Sequence, residues 1–254
     1  MVDKGRGHSD PPAFGAPWRH YATTDSTNTR ARELAAAGAP GGTVVTTAEQ
    51  TAGRGRQGRT WAAPAGKALL YSALLRPLEE RHMMLPLAVP LAVCEAAEAL
   101  QPELECGVKW PNDVLVAGRK LAGILIEARP RDGWAVIGVG LNLTIAEDEF
   151  PEELRDTATS VWPGGPAVRH ACHSDIRNSP AEALSERLGF WVEAGPEQVL
   201  AAWRERDALR GKEIAWDGGT GVADGVDERG FLLVRLADGD RVALGAGEVH
   251  LTRV

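Results

Sequence analysis

Cysteine is scarce in this chain. Only Cys94, Cys106 and Cys172 occur among 254 residues, an odd number without metal-ligand or redox spacing, which fits a reducing compartment and buried or incidental thiols. Long apolar runs are also missing: none approaches the roughly 18–20 residues that span a bilayer, and the N-terminus lacks the basic-then-apolar order of a secretory signal. The expectation is a cytoplasmic chain without membrane contact. Basic charge is in deficit, with 28 Lys and Arg against 35 Asp and Glu and a formal net charge of −7. Coating nucleic acid requires cations that neutralise phosphates, so any basic site here must be local.

What is present is ordinary globular material, 44% hydrophobic and 25% charged, with length for one good-sized core and a small second domain. Residues 1–17 hold Pro11, Pro12 and Pro17 with three glycines and few large apolar residues, and read as a flexible leader without a core of its own. From Ser26 to Ala37, hydroxyl caps, helix formers and a stop at Gly38 predict a helix. Strands are predicted at Gly42–Ala48 and Ala68–Leu75. An apolar helix is predicted over Leu87–Leu100, its regular part confined behind Pro86 and Pro90. The runs VKW, DVLVA, KLAGILIEA and WAVIGVGLNL, joined by short turns such as Gly118–Arg119, predict an antiparallel meander. Helices follow at about Ala181–Glu193 and Pro196–Leu209, and short alternating runs after Gly211 predict a small β-barrel of about 45 residues. The expected organisation is a leader over 1–17, a main domain over 18–209 and a barrel over 210–254.

Chemistry concentrates in four places. Glu49–Trp61, EQTAGRGRQGRTW, alternates Gly53, Gly55 and Gly58 with Arg54, Arg56 and Arg59. Glycines allow a ligand close to the backbone N–H groups, and guanidinium forks suit phosphate or carboxylate. The same composition also describes a solvated loop or an RNA-binding patch. It matches neither GxxxxGK[ST] nor GxGxxG. Second, KWPND (Lys109–Asp113) and RKLAGIL (Arg119–Leu125) flank a predicted hairpin that points Lys109 and Lys120 into one cleft with Asn112 and Asp113. A lysine on a strand is ordinarily a solvated residue, but Lys120 stands at the mouth of an apolar strand. Asn112 and Asp113 carry oxygens that suit Mg²⁺ or a ribose. Third, DSTN (Asp25–Asn28) opens the first helix, where such residues cap and where free N–H groups also bind carboxylate or ureido oxygens. Fourth, Gly138–Asn142, GVGLN, permits close approach and offers Asn142 to phosphate or ribose.

Taken in order and spacing, DSTN, EQTAGRGRQGRTW, KWPND, RKLAGILIE and GVGLN resemble the catalytic domain of biotin protein ligases of the monofunctional type, closely over Asp25–Asn142, and the last 45 residues or so are similar to that family's SH3-like barrel. The resemblance implies an α+β fold: a class II synthetase-like domain with a mixed, largely antiparallel sheet and helices, plus the barrel. It implies an enzyme that uses ATP and Mg²⁺ to form biotinyl-5′-adenylate and transfers biotin to a lysine of a biotin carboxyl carrier protein domain of a biotin-dependent carboxylase. Ser26, Thr27, Asn28, Gln50, Gly53, Arg54, Gly55, Arg56 and Lys120 would line the biotin pocket. Arg56, Arg59, Trp61, Asn112, Asp113 and Asn142 would surround ATP, Lys120 and Arg56 would act in catalysis, and Asp113 would sit nearest Mg²⁺. The stretch before Asp25 is too short for the repressor members' winged helix-turn-helix, so DNA binding is not expected, and a homodimer is compatible with the family. Gly164–Pro180 does not read like the family's usual linker and helix. A lipoate-type acyl ligase on the same fold, and a nucleic-acid-binding protein using the Arg–Gly loop, stay open as alternatives. Against the latter stand the 5 basic and 8 acidic residues from Lys212 on and the lack of interleaved aromatics.

Overall fold

In the computed structural model, which describes residues 14–166, 179–245, 247 and 249–251, a seven-stranded sheet forms the body of the molecule. Its strands are β1 (Trp18–Thr24), β2 (Val44–Gln50), β3 (Ala68–Leu75), β4 (Cys106–Lys109), β5 (Asp113–Val116), β6 (Arg119–Arg129) and β7 (Trp134–Asn142), in the order β1-β2-β3-β7-β6-β5-β4. Only β1 and β2 run parallel, because the helix α1 (Thr27–Ala36) crosses between them; the predicted meander is antiparallel as expected. Most of residues 1–17, and residues 167–178 of the stretch Gly164–Pro180, Cys172 among them, lie outside the described residues. Phe14, within the expected leader, is buried in the main core, and Gly15 donates its N–H to Gly42 O.

Side-chain alternation sorts the sheet into two faces. On β3, Leu69, Tyr71, Ala73 and Leu75 enter the large core, while Leu74 joins Ala31, Ala35, Val45 and Val136 beneath α1. Both faces of β3 are covered, which is why it reads as an unbroken apolar run. The large core is filled by α2 (Leu85–Leu100), with α3 (Pro180–Glu193) and α4 (Pro196–Glu205) packed against it. The prolines confine α2 less than their positions predict. Pro86 lies in the first turn, where no N–H is needed, and Pro90 forfeits one backbone bond that the burial of Leu85, Leu87, Val89, Leu91 and Val93 offsets. Together with the 3₁₀ turns before it, Glu80–Leu100 is a 21-residue helical stretch that holds an 18-residue window of mean hydropathy 1.6, long and apolar enough by composition to cross a membrane. That corrects the expectation that no run comes close. With 67% of that window buried inside the protein, the stretch is accounted for as a core helix.

The chain after α4 forms a five-stranded antiparallel sheet in the order β11-β10-β9-β8-β12, from β8 (Glu213–Trp216), β9 (Gly219–Val226), β10 (Leu232–Arg235), β11 (Arg241–Leu244) and β12 (His250–Leu251). It is fastened to the main sheet at the β4 edge. Val108 donates to Arg206 O (2.7 Å) and accepts from Ala208 N (2.9 Å), so residues 206–208 cover an edge that would otherwise stay open. The Trp110 indole donates to Gly230 O at 3.1 Å. Beneath this junction the Arg206 guanidinium grips Glu98 with two bonds of 2.6 and 2.8 Å, and Glu98 also accepts from Cys106 N. The carboxylate and its own burial act oppositely on Arg206, and the carboxylate prevails, raising its pKa.

Glu98→Ala leaves a largely buried guanidinium without its carboxylate and a backbone N–H without its acceptor. The expected loss is about 2–3 kcal/mol in urea denaturation. A loss below about 0.5 kcal/mol would show that the pair does not hold the junction.

Candidate functional site

On the α1 side of the sheet, β6 and β7 carry a floor with no side chains. Gly123 and Gly140 are register partners, and Gly138 lies opposite Leu125. A Cβ on Gly140 would stand 2.3 Å from the Trp61 ring, one on Gly123 2.8 Å from it, and one on Gly138 2.0 Å from Asn28 Oδ1. Real contacts are never that short. The three glycines are there so that Trp61 and Asn28 can lie against the strands.

The helix N-terminus reaches this floor in a particular way. Ser26 occupies the N-cap position of α1, but its hydroxyl makes no capping bond, and the residue is buried in the cavity. Gln50, at the end of β2, caps instead: its Oε1 accepts from Thr27 N (2.8 Å) and Thr27 Oγ1 (3.1 Å). Asp25 turns away, accepting from Ser26 N and pairing with Arg30, and these bonds hold its carboxyl below the ordinary range. Asn28 is fixed on both ends of its amide. Ser72 Oγ lies 2.6 Å from its oxygen, and its nitrogen donates to Glu127 (3.0 Å) and Leu125 O (3.3 Å).

The Arg–Gly segment is an ordered hairpin rather than the loose loop its composition allowed. Trp61 N bonds Gly53 O, Gly55 N bonds Arg59 O, and Arg54 bridges Thr60, with Gln57 and Gly58 turning the corner at φ 52° and 75°. Gly53 lies at the neck, where a Cβ would meet Trp61 O at 2.1 Å, and it does not line the cavity. Two arginines are turned inward: Arg54 onto Glu127 at 3.1 Å and Arg56 onto Asn112 Oδ1 at 3.2 Å. Arg59 lines the cavity.

Lys120 faces the hairpin from β6. Its ammonium lies 2.7 Å from Asp113 Oδ1 and 5.7 Å from the Trp61 ring centroid. Its backbone is clamped by Thr157 and Thr159, which bond its N–H at 2.6 Å and its carbonyl at 2.9 Å. Asn112 is locked by Ile124, donating to its carbonyl (2.9 Å) and accepting its N–H (3.0 Å).

The cavity so enclosed measures about 130 Å³ and brings together Ser26, Thr27, Asn28, Gln50, Arg54, Gly55, Arg56, Arg59, Trp61, Asn112, Asp113 and Lys120. Three expected residues are not there. Besides Gly53, Lys109 does not share the cleft with Lys120, because it stands opposite Asp113 on the edge strand β4, one strand too far out. Asn142 is buried and donates to Thr159 O at 2.9 Å, so it supports the segment that clamps Lys120. Missed from sequence were Ser72, Glu127 and the clamp at Thr157–Thr159; Gly123, inside an apolar strand, was a signal that could have been used. Among the described residues no three His, Cys, Asp or Glu side chains converge on a metal position, and Asp113, the cavity's one carboxylate, already pairs with Lys120. The Asp113 carboxylate and the Asn112 amide are the hard oxygen donors there that would suit a magnesium ion. A second cavity of about 610 Å³ adjoins the first, sharing Arg54, Arg56 and Asn112, and is walled by Met83, Met84, Pro86 and Leu87 and by Arg229–Phe231.

The family model described as "Biotin/lipoate A/B protein ligase family" matches residues 21–143, and "Biotin protein ligase C terminal domain" matches 211–251. The biotin–[acetyl-CoA-carboxylase] ligase of Mycobacterium tuberculosis is 39% identical over 93% of this chain and 91% of its own. That of Paracoccus denitrificans is 35% identical over 90% of this chain and 98% of its own. The solved biotin protein ligase of Aquifex aeolicus in complex with biotin and ATP superposes with a TM-score of 0.72 at 29% identity, covering 93% of this chain and 99% of that one.

Gly140→Ala should displace the Trp61 ring, red-shifting its emission, and cost about 1–3 kcal/mol as overpacking does. In a Trp61→Ala background the same substitution should cost less than half as much. Unchanged emission and stability in Gly140→Ala would mean that the indole does not rest on the glycines.

Proposed function

The chain belongs to the biotin protein ligase family, and from that premise we propose that its cavity activates biotin with ATP and passes the biotinyl group to a lysine of a carboxylase's carrier domain. The observation that carries this reading is the meeting of Lys120 and Arg56 over a pocket floored by the α1 N-terminus and the glycine strands. Activation requires a carboxylate to attack the α-phosphorus of ATP in line and expel pyrophosphate, a step governed by positioning and charge neutralisation. Lys120 and Arg56 are the groups we assign to the negative charge that develops there. Ser26, Thr27, Asn28, Gln50 and Arg54 are assigned to biotin, and Arg59, Trp61, Asn112 and Asp113 to the nucleotide. Magnesium would neutralise the phosphates, with Asp113 the nearest carboxylate. In the second step the carrier's lysine nitrogen bonds the acyl carbon and AMP leaves with the anhydride oxygen. The hairpin shields the mixed anhydride from water until then.

The Arg–Gly hairpin does not serve as a nucleic-acid patch in this reading, since Arg54 and Arg56 are engaged inward. No observation favours a lipoate-type ligase, and the match over 211–251 is to a domain named for biotin protein ligases. Residues 18–209 and 210–254 are the catalytic and C-terminal parts of the same proposal.

Lys120→Ala removes a charge used in the transition state and no core contact. Biotin-dependent pyrophosphate exchange should fall by roughly 10²–10³, the scale of one lost charge-assisted contact. Preformed biotinyl-adenylate should restore much of the transfer to carrier. Exchange at the wild-type rate would remove Lys120 from the mechanism, and exchange driven by lipoate in preference to biotin would overturn the substrate assignment.

A further inference from the structure

Glu127 ends the RKLAGILIE block without a role that the sequence assigns it, yet three donors from two other parts of the chain converge on it. It lies on β6 opposite Val136 of β7, on the same face as Gly123 and Leu125, and its side chain is only 20% exposed. Arg54 approaches both of its oxygens, at 3.1 and 3.2 Å; Arg32 of α1 pairs with one at 3.2 Å; and Asn28 donates to the other at 3.0 Å. The hairpin is thus held to the sheet by an ion pair at Arg54, whereas Arg56 reaches a neutral amide. Asn28 depends on the same carboxylate for its orientation: with its nitrogen drawn toward Glu127, its oxygen faces Ser72.

We propose that Glu127 is a positioning residue that latches the Arg–Gly hairpin closed through Arg54 and, through Asn28, sets the pocket floor at the same time. It touches no substrate; it acts by fixing two groups that do, in a role that rests on the reading of this cavity as the ligase site. One carboxylate joining floor and roof means that the roof closes in register with the floor. If the latch opens, the hydrogen-bonded backbone of the hairpin at Arg56 and Arg59 is freed before any chemistry fails.

The substrate-free protein tests this directly. Native-state trypsin cleavage at Arg56–Gln57 and Arg59–Thr60 reports local opening of the hairpin. Glu127→Gln keeps the shape and removes the charge, and Arg54→Gln removes the partner. Each should speed cleavage roughly 3- to 10-fold, on the scale of one partly exposed ion pair. The double variant should cleave no faster than the faster single, since both break one contact. Arg32→Gln, which leaves Arg54 on Glu127, should stay within about twofold of wild type. Unchanged cleavage in Glu127→Gln, or multiplied effects in the double variant, would overturn the latch. If Glu127→Gln does not fold, Arg54→Gln decides alone, and its failure to speed cleavage is equally fatal. In activity, Glu127→Gln should raise KM for biotin several-fold while kcat of pyrophosphate exchange stays within about threefold, a split that general destabilisation does not produce; equal losses in both would count against it. Absence of biotin-dependent exchange in the wild type would strike the ligase reading and leave the cleavage result standing.

Discussion

Trp61 and Asn28 approach the main sheet more closely than any Cβ allows, and the rest of the site is arranged around that approach. Three glycines on two neighbouring strands, Gly123, Gly138 and Gly140, open a slot one side chain deep. The slot accepts a helix N-terminus at one end and an indole at the other. Because Gly138 and Gly140 alternate with Ile137, Val139 and Leu141, the opposite face of β7 stays buried in the large core, so the sheet loses no core where it gains a floor. A glycine in a strand weakens it, and here β7 is flanked over its whole length by β3 and β6, which supply the backbone bonds that keep it straight.

The chain is acidic overall, yet the cavity is lined by Arg54, Arg56, Arg59 and Lys120 against a single carboxylate, Asp113. Cations this close together repel, and the fold manages them by giving named partners: Glu127 for Arg54, Asn112 for Arg56, Asp113 for Lys120. These partners differ in kind, and the difference matters. A neutral amide holds Arg56 less firmly than a carboxylate only 20% exposed holds the half-exposed Arg54. The hairpin therefore has a firm root at Arg54 and a more readily freed arm at Arg56.

Much of this was legible in the sequence. The meander, the strand Ala68–Leu75 and the helix following Ser26 are written in local pattern, and the arginines of the Arg–Gly block fall into one cavity with Asn112 and Asp113 of KWPND as their chemistry predicts. What escaped was long-range. Gln50 caps a helix 23 residues earlier in the chain, and Glu127 binds Arg54 across 73 residues; no local pattern announces either. Lys109 shows the converse error, where closeness in sequence to Asn112 and Asp113 implied a shared cleft. Direct pairing with Asp113 across the turn instead leaves it on the outer strand. Asn142 was likewise read from its position beside the glycines, but the returning segment at Thr159 takes its amide.

The C-terminal sheet carries none of the cavity's reactive groups, yet it bears on where they stand. Its turn at Gly230, with φ of 80°, receives the Trp110 indole, and a Cβ there would press on Leu87 at 3.2 Å. Trp110 immediately precedes the turn that carries Asn112 and Asp113, and Leu87 lies in the first turns of α2. Thus one backbone carbonyl of the C-terminal sheet anchors the tryptophan next to the two residues that face Arg56 and Lys120. The same turn, with Phe231, walls the larger cavity that opens onto the hairpin. Displacing this sheet would alter the cavity from behind, through Trp110, without touching any residue that meets a substrate.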